Sequence, residues 1–258
     1  MNTTNIEKEQ AHWLLAKLGK RVLRPGGKQL TLKIIKSLQI SKNDNILEFA
    51  PGMGATASLL LSYHPKSYTA VEANESAAKN LQKKFNGKNS HIIIGNAAQS
   101  HIKDESIDKI LGEAMLTMQA NHRKSEVIQE AYRILREGGL YAIHELCLEP
   151  ENISEETKED IQKNLAITMH VNARPLTIIE WENLFKNEGF SIKEVFFSPM
   201  RLLELKRVIA DEGIFRSIRI AVNILIHQKA RRRLMEIRHL FRKYQSHLNA
   251  ISIVVEKI

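Results

Sequence analysis

The segment Asn45-Ile46-Leu47-Glu48-Phe49-Ala50-Pro51-Gly52-Met53-Gly54-Ala55-Thr56-Ala57 passes from an apolar run, through a proline and two glycines, into a pattern that stays helical to Tyr63. Ile46, Leu47 and Phe49 suit a buried strand, Pro51 and Gly52 force a turn, and a helix resumes at Ala57. Glycines at such a turn admit backbone angles that a Cβ blocks and let a ligand approach the main chain. A strand that turns so tightly into a helix is one unit of a parallel sheet, so the chain after it should alternate. It does: 67–72, 91–94, 107–113, 140–146, 192–197 and 250–256 read as further strands, with helices near 75–85, 124–136, 154–169 and 177–187 between them. This order predicts an α/β fold, a doubly wound seven-stranded sheet covered on both faces. Two leading helices, 6–20 and 29–38, are parted by Arg24-Pro25-Gly26-Gly27, and Asn86-Gly87 stops the helix after the second strand. The expected organisation is an N-terminal helical cap (1–44), a ligand-binding core (45–199), a helical insert (200–247) and a last core strand (248–258).

Two ligand classes fit a strand, glycine loop and helix. Gly52-x-Gly54-x-x-Ala57 matches a dinucleotide fingerprint, with Glu72 at the distance of a ribose partner. Glu48, just before the loop, favours the other class, because a carboxylate there opposes a pyrophosphate and suits a ligand carrying positive charge. S-adenosylmethionine carries an ammonium and a sulfonium and no phosphate. An NAD-dependent dehydrogenase remains the alternative on the spacing alone.

The ordered set Ile46-Leu47-Glu48-x-Ala50-Pro51-Gly52-x-Gly54, Val71-Glu72, Gly95-Asn96-Ala97, Ile107-Asp108-Lys109-Ile110 and Leu135-Arg136-Glu137-Gly138-Gly139-Leu140 resembles the class I S-adenosylmethionine-dependent methyltransferases. The resemblance covers roughly 40–197 and the final strand, and implies the Rossmann-like fold of that family. It implies cofactor contacts from Glu48 and the backbone of Ala50, Pro51, Gly52 and Gly54 to the methionine moiety, where a carboxylate can pair with the ammonium. Glu72 would take both ribose hydroxyls, Ala73 would pack beneath the adenine, and Asn96 with Ala97 would bond its edge. Glu113 and Met115 would border the sulfonium. The family more often has glycine at the position of Ala50 and Asp at that of Asn96.

Methyl transfer is served largely by positioning, with a general base needed only when the acceptor loses a proton. His144 and Glu145, at the end of the fifth strand, are the expected catalytic bases, with His170 behind them. His12-Trp13 can close over the site, although Trp13 also suits a packed core. Cys147 is the only cysteine, which excludes an internal disulfide and a Cys-rich zinc site, and no metal is expected.

The net charge of +9 is concentrated late: residues 200–247 hold twelve Lys or Arg against four Asp or Glu, 12 − 4 = +8. Ile214, Phe215, Ile218, Ala221, Val222, Leu225 and Ile226 recur at helical spacing, and a second helix begins near Ala230 with Leu234, Ile237, Leu240 and Phe241 turned inward. Such an insert suits an acidic substrate or an anionic membrane surface. The acceptor expected is a small or lipid-like molecule. The alternatives are an RNA methyltransferase docking through the insert, disfavoured by few stacking aromatics, and a non-catalytic cofactor-binding or membrane-associated protein. A polar start at 1–10 and the lack of a long apolar run predict a cytoplasmic protein.

Overall fold

A computed structural model describes residues 9–258 except 23, 86, 88 and 202; the expected helix start at Ile6 and the stop at Asn86 lie outside the described residues. The strands are β1 (Asn45–Phe49), β2 (Ser67–Glu72), β3 (Ser90–Ile94), β4 (Ile107–Glu113), β5 (Leu135–Leu148), β6 (Leu176–Thr177), β7 (Phe190–Pro199) and β8 (Leu248–Lys257). The sheet order is β3-β2-β1-β4-β5-β8-β7, with β6 pairing β5 beside that path. From β3 to β5 the pairing is parallel, and β8 runs antiparallel to both β5 and β7. The chain order reverses between β1 and β4, which leaves a crevice outside their carboxyl ends.

The seven-stranded α/β expectation therefore holds, with one short strand added. A two-residue strand leaves no periodicity in sequence, which is why Leu176–Thr177 was legible only as a helix start. There Thr177 Oγ1 accepts from Glu180 N–H at 3.4 Å while Glu180 accepts from Thr177 N–H at 2.8 Å, the reciprocal capping box. β5 is longer than its apolar core because its far end continues to pair with β8 as far as Leu148↔Leu248.

Helices α1 (Ala11–Lys17) and α2 (Gly27–Ser37) precede β1. Helix α2 buries Leu30, Ile34 and Ile35; the latter two join Ile46, Tyr68 and Val254 on one face of the sheet. The opposite face holds Phe49, Tyr141, Trp181, Phe185 and Phe190. Helix α3 (Ala55–Leu61) follows the glycine loop and α4 (Glu75–Lys84) follows β2. Helices α5 (Asn121–Ile134), α6 (Glu155–Met169) and α7 (Ile178–Asn187) come next, and between β7 and β8 stand α8 (Leu205–Glu212), α9 (Ile214–Ile226) and α10 (Gln228–Lys243). Ile237, Leu240 and Phe241 of α10 pack with Ile161 and Leu165 of α6 and with Ala11 and Leu15 of α1. That third cluster carries the N-terminal segment to the mouth of the crevice.

Candidate functional site

The crevice is a cleft of about 570 Å³ walled by the glycine loop, the ends of β2 and β4, helix α1 and residues 171–172. Its floor is the loop after β1, where Ala50 (φ 52°), Gly52 (φ 55°) and Gly54 (φ 69°) all take left-handed backbone angles. Ala50 thus takes a left-handed angle, at a cost of about 1 kcal/mol for its Cβ. The two glycines differ. A Cβ on Gly52 would meet nothing within 4 Å and would stand in open space at the cleft wall, whereas one on Gly54 would lie 2.6 Å from Leu81 Cδ2 and 2.8 Å from Phe85 Cε2. Gly52 leaves room for a ligand; Gly54 lets α3 and α4 close together behind the loop. Gly54→Ala should accordingly lower stability by about 2 kcal/mol through overpacking and the left-handed angle, read as the midpoint of a denaturant titration.

Glu72 ends β2 with both carboxylate oxygens fixed: Gly52 N–H donates to Oε2 at 2.9 Å and Asn74 N–H to Oε1 at 2.8 Å. Each oxygen keeps a lone pair for a further donor. Asn74 in turn caps α4, its Oδ1 accepting from Ala77 N–H at 2.9 Å, so the acid stands on a rigid support. Glu48 is buried, and Tyr68 Oη donates to its Oε2 at 2.5 Å. Burial, with Glu113 and Glu72 nearby, pushes its carboxyl up to about 8 against the opposing pull of Tyr68 and Arg24.

Glu113, at the end of β4, is the most heavily bonded group in the cleft. Its Oε1 receives Thr31 Oγ1 at 2.5 Å, Arg24 Nε at 3.0 Å and His144 Nδ1 at 2.9 Å, and its Oε2 receives Thr56 Oγ1 at 2.5 Å. Burial alone would raise this carboxyl, but Arg24 and the bonds from His144 and Thr31 outweigh it and hold it down at about 2. The cluster ties α2, α3, β4, β5 and the segment before α2 to one carboxylate. Arg24, Thr31 and Thr56 were not identifiable as site residues from sequence. Arg24 sits in a Pro-Gly break and the threonines lie inside helices, so only the fold brings them together.

Ala50, Pro51, Gly52, Glu48, Glu72, Ala73, Glu113 and Met115 all line the cleft. Six expected residues do not: Gly54, whose place is behind the loop, and Glu145, His144, Asn96, Ala97 and His170, each for a physical cause. Glu145 is fully buried and turned into the protein, where it accepts backbone N–H bonds from Met115, Leu116 and Thr117 at 2.9, 2.7 and 3.1 Å. It shapes the loop after β4 and does not face the cleft. His144 is likewise fully buried, behind Glu113, with Nε2 packed near Gly26 and without a hydrogen-bond partner among the described residues. Asn96 is exposed and its Oδ1 accepts from Ala98 N–H at 3.0 Å, a turn after β3, while Ala97 packs into the core. His170 lies outside the cleft as the left-handed C-cap of α6. Conversely, His12 and Trp13 do line the cleft, their rings 5.0 Å apart, so Trp13 is a wall and not buried core. Burial lowers the His12 imidazole below its ordinary value.

A tripled acidic wall, a loop open at Gly52 and a doubly fixed Glu72 fit a cationic nucleoside better than a pyrophosphate. Among the described residues, no group of three His, Cys, Asp or Glu is placed to hold a metal.

Residues 47–143 match the family described as methyltransferase domain. An uncharacterized protein of Haemophilus influenzae is 34% identical over 226 residues, 84% of this chain and 86% of that protein. Phthiotriol/phenolphthiotriol dimycocerosates methyltransferase 1 of Mycobacterium ulcerans is 32% identical over 45% of this chain and 42% of its own. Ribosomal RNA small subunit methyltransferase A of Fusobacterium nucleatum is 40% identical over 24% of this chain and 23% of its own. Among solved structures, Haemonchus contortus phosphoethanolamine N-methyltransferase 2 in complex with S-adenosyl-L-methionine superposes with a TM-score of 0.71 at 17% identity, covering 99% of this chain and 57% of that one.

Proposed function

The chain belongs to the class I S-adenosylmethionine-dependent methyltransferases, and we propose that it is a cytoplasmic enzyme that methylates a small, lipid-like acceptor. When bound, S-adenosylmethionine supplies an electrophilic methyl group on a sulfonium. The observation that carries the site assignment is Glu72, held by Gly52 and Asn74 with one acceptor position left on each oxygen at the cleft edge. It would receive the ribose hydroxyls, Glu48 would pair with the ammonium, and Ala73 would lie beneath the base. Glu113, bonded by four partners and with its carboxyl held down at about 2, keeps the floor and the cap in register and stays ionised instead of taking a ligand proton.

Trp13, Met115, Met118 and Val171 give the rest of the cleft an apolar wall, and Gln10, Gln119 and Asn172 place polar groups among them. Such a mixture supports a partly apolar acceptor with a polar reacting end. His12 is the lining imidazole kept neutral at neutral pH, and it would accept a proton if the acceptor atom carries one. Calorimetric titration of S-adenosylhomocysteine tests the site. Glu72→Ala should weaken binding roughly tenfold to a hundredfold, the loss of hydrogen bonds to a charged group. Wild-type affinity in that variant, or no binding by the wild type, would overturn the assignment.

A further inference from the structure

Helix α9 presents its apolar side to solvent. Ile214, Phe215, Ile218, Val222, Leu225 and Ile226 fall on one side of its wheel, with relative exposures of 65% at Ile214, 91% at Phe215, 67% at Leu225 and 69% at Ile226. The opposite side is anchored by polar bonds: Asn223 Nδ2 donates to Leu18 O at 2.9 Å and Arg216 Nη1 to Gly19 O at 3.3 Å, with Ser217 and Ile220 buried between them. The helix cannot roll its apolar arc inward without breaking those bonds. This inverts the usual arrangement, in which the apolar stripe faces the core.

The charge around the arc is of one sign. Residues 213–235 contain six Lys or Arg and no Asp or Glu. Arg219 flanks the arc, and Arg231 and Arg232 stand exposed at the start of α10, about one turn past Ile226. The nearest acids before the helix point away: Glu212 accepts Arg21 N–H and Val22 N–H at 2.7 and 2.8 Å, Asp211 accepts Lys28 N–H at 2.9 Å, and both side chains are buried beside Lys20.

The geometry points to α9 as a docking helix that lies on an anionic lipid surface, with the Phe215–Leu225 arc among the acyl chains and the arginines at the headgroups. Thirteen residues are too few to cross a bilayer but suffice for an interfacial helix. A second copy of the chain is the poorer occupant, because pairing two such arcs brings like-charged arginines together. RNA would use the arginines and leave the apolar arc uncovered. Docking also has a path to the cleft. Leu18 and Gly19, which α9 grips, and Arg21 and Val22, which Glu212 caps, belong to the same segment that carries His12, Trp13 and Arg24. The surface therefore holds the cleft wall near a membrane-borne acceptor, a consequence that rests on the lipid-like reading above; the docking itself does not.

Co-sedimentation of the full chain with phosphatidylglycerol–phosphatidylcholine vesicles tests this, with pure phosphatidylcholine as the second arm. Binding should favour the anionic vesicles at least about tenfold and weaken with salt. Phe215→Ser/Leu225→Ser should lose about a hundredfold in partitioning, and Arg231→Gln/Arg232→Gln about tenfold. All these side chains are exposed, and unchanged S-adenosylhomocysteine binding by the variants certifies their fold. Absence of wild-type sedimentation with intact S-adenosylhomocysteine binding overturns the docking and leaves the enzyme reading standing. Sedimentation without cofactor binding does the reverse. A wild-type dimer in analytical ultracentrifugation that Phe215→Ser/Leu225→Ser dissociates, or RNA binding abolished by the same pair, would reassign the arc and also overturn the proposal.

Discussion

Arg24→Met should destabilise the protein by about 3–5 kcal/mol, the cost of leaving a buried carboxylate without its cation. Arg24 Nε lies 3.0 Å from Glu113 Oε1 and 2.5 Å from Thr31 Oγ1, and both charged side chains are almost wholly buried. Removing the guanidinium leaves Thr31, Thr56 and His144 to hold a charge that four groups now share. In a chain of this size the loss corresponds to a Tm lower by roughly 10 °C. The double variant Arg24→Met/Glu113→Gln should recover part of it, since the orphaned charge goes with its partner. Strict additivity of the two changes would show that the pair is not coupled.

The pH dependence gives a second reading of the same cluster. Glu113 has its carboxyl held at about 2 in the folded protein, below its ordinary value of 4.5. A depressed carboxyl contributes stability that is present above the unfolded value and lost as pH falls through the folded one, here a contribution of about 3 kcal/mol vanishing between pH 4.5 and 2. In Arg24→Met the fall should begin at higher pH, visible as an earlier onset of acid unfolding.

S-adenosylhomocysteine affinity should rise toward tenfold per pH unit between pH 6 and 8, the range below a Glu48 carboxyl at about 8. Free Glu48 is mostly protonated at neutral pH, because burial disfavours its charge. Pairing with the ligand ammonium requires the ionised form, so binding must expel a proton. Calorimetry at pH 7 in buffers of different ionisation enthalpy should detect that release. Glu48→Gln should bind with a flat pH profile, and Tyr68→Phe should move the rise to higher pH, because the Tyr68 hydroxyl favours the ionised form. A flat wild-type profile would remove Glu48 from the ammonium site. The stability sign is opposite to that of Glu113. A raised carboxyl favours the folded state below the unfolded value and loses that contribution as pH climbs from 4.5 through 8. The ligand-free protein should therefore weaken over this range, and Glu48→Gln should not.

Much of the fold was legible because parallel strands buried on both faces are written as short apolar runs, and the helices between them end at glycines and caps. Ile46-Leu47-Glu48-Phe49 and Val71-Glu72 each announce a strand with an acid at or next to its end, and the two acids meet at one cleft. Where the side chains of the candidate bases point is something that sequence does not carry. His144 and Glu145 end the correct strand, yet their side chains are claimed by Glu113 and by three backbone N–H groups. For helix α9 the periodicity gives a secure amphipathic helix, as the structure has it, but periodicity is symmetric between facing the core and facing outward.

What the sequence determined by itself is the order of strands and helices, the glycine loop and the acids Glu48 and Glu72, since each follows from local periodicity, turn chemistry and spacing. Only the tertiary structure decided that Arg24, Thr31 and Thr56 converge on Glu113 from separate elements, that Trp13 walls the cleft, and that α9 turns its apolar side outward. Those outcomes depend on contacts between residues far apart in the chain, where packing and burial choose among side chains that are locally equivalent.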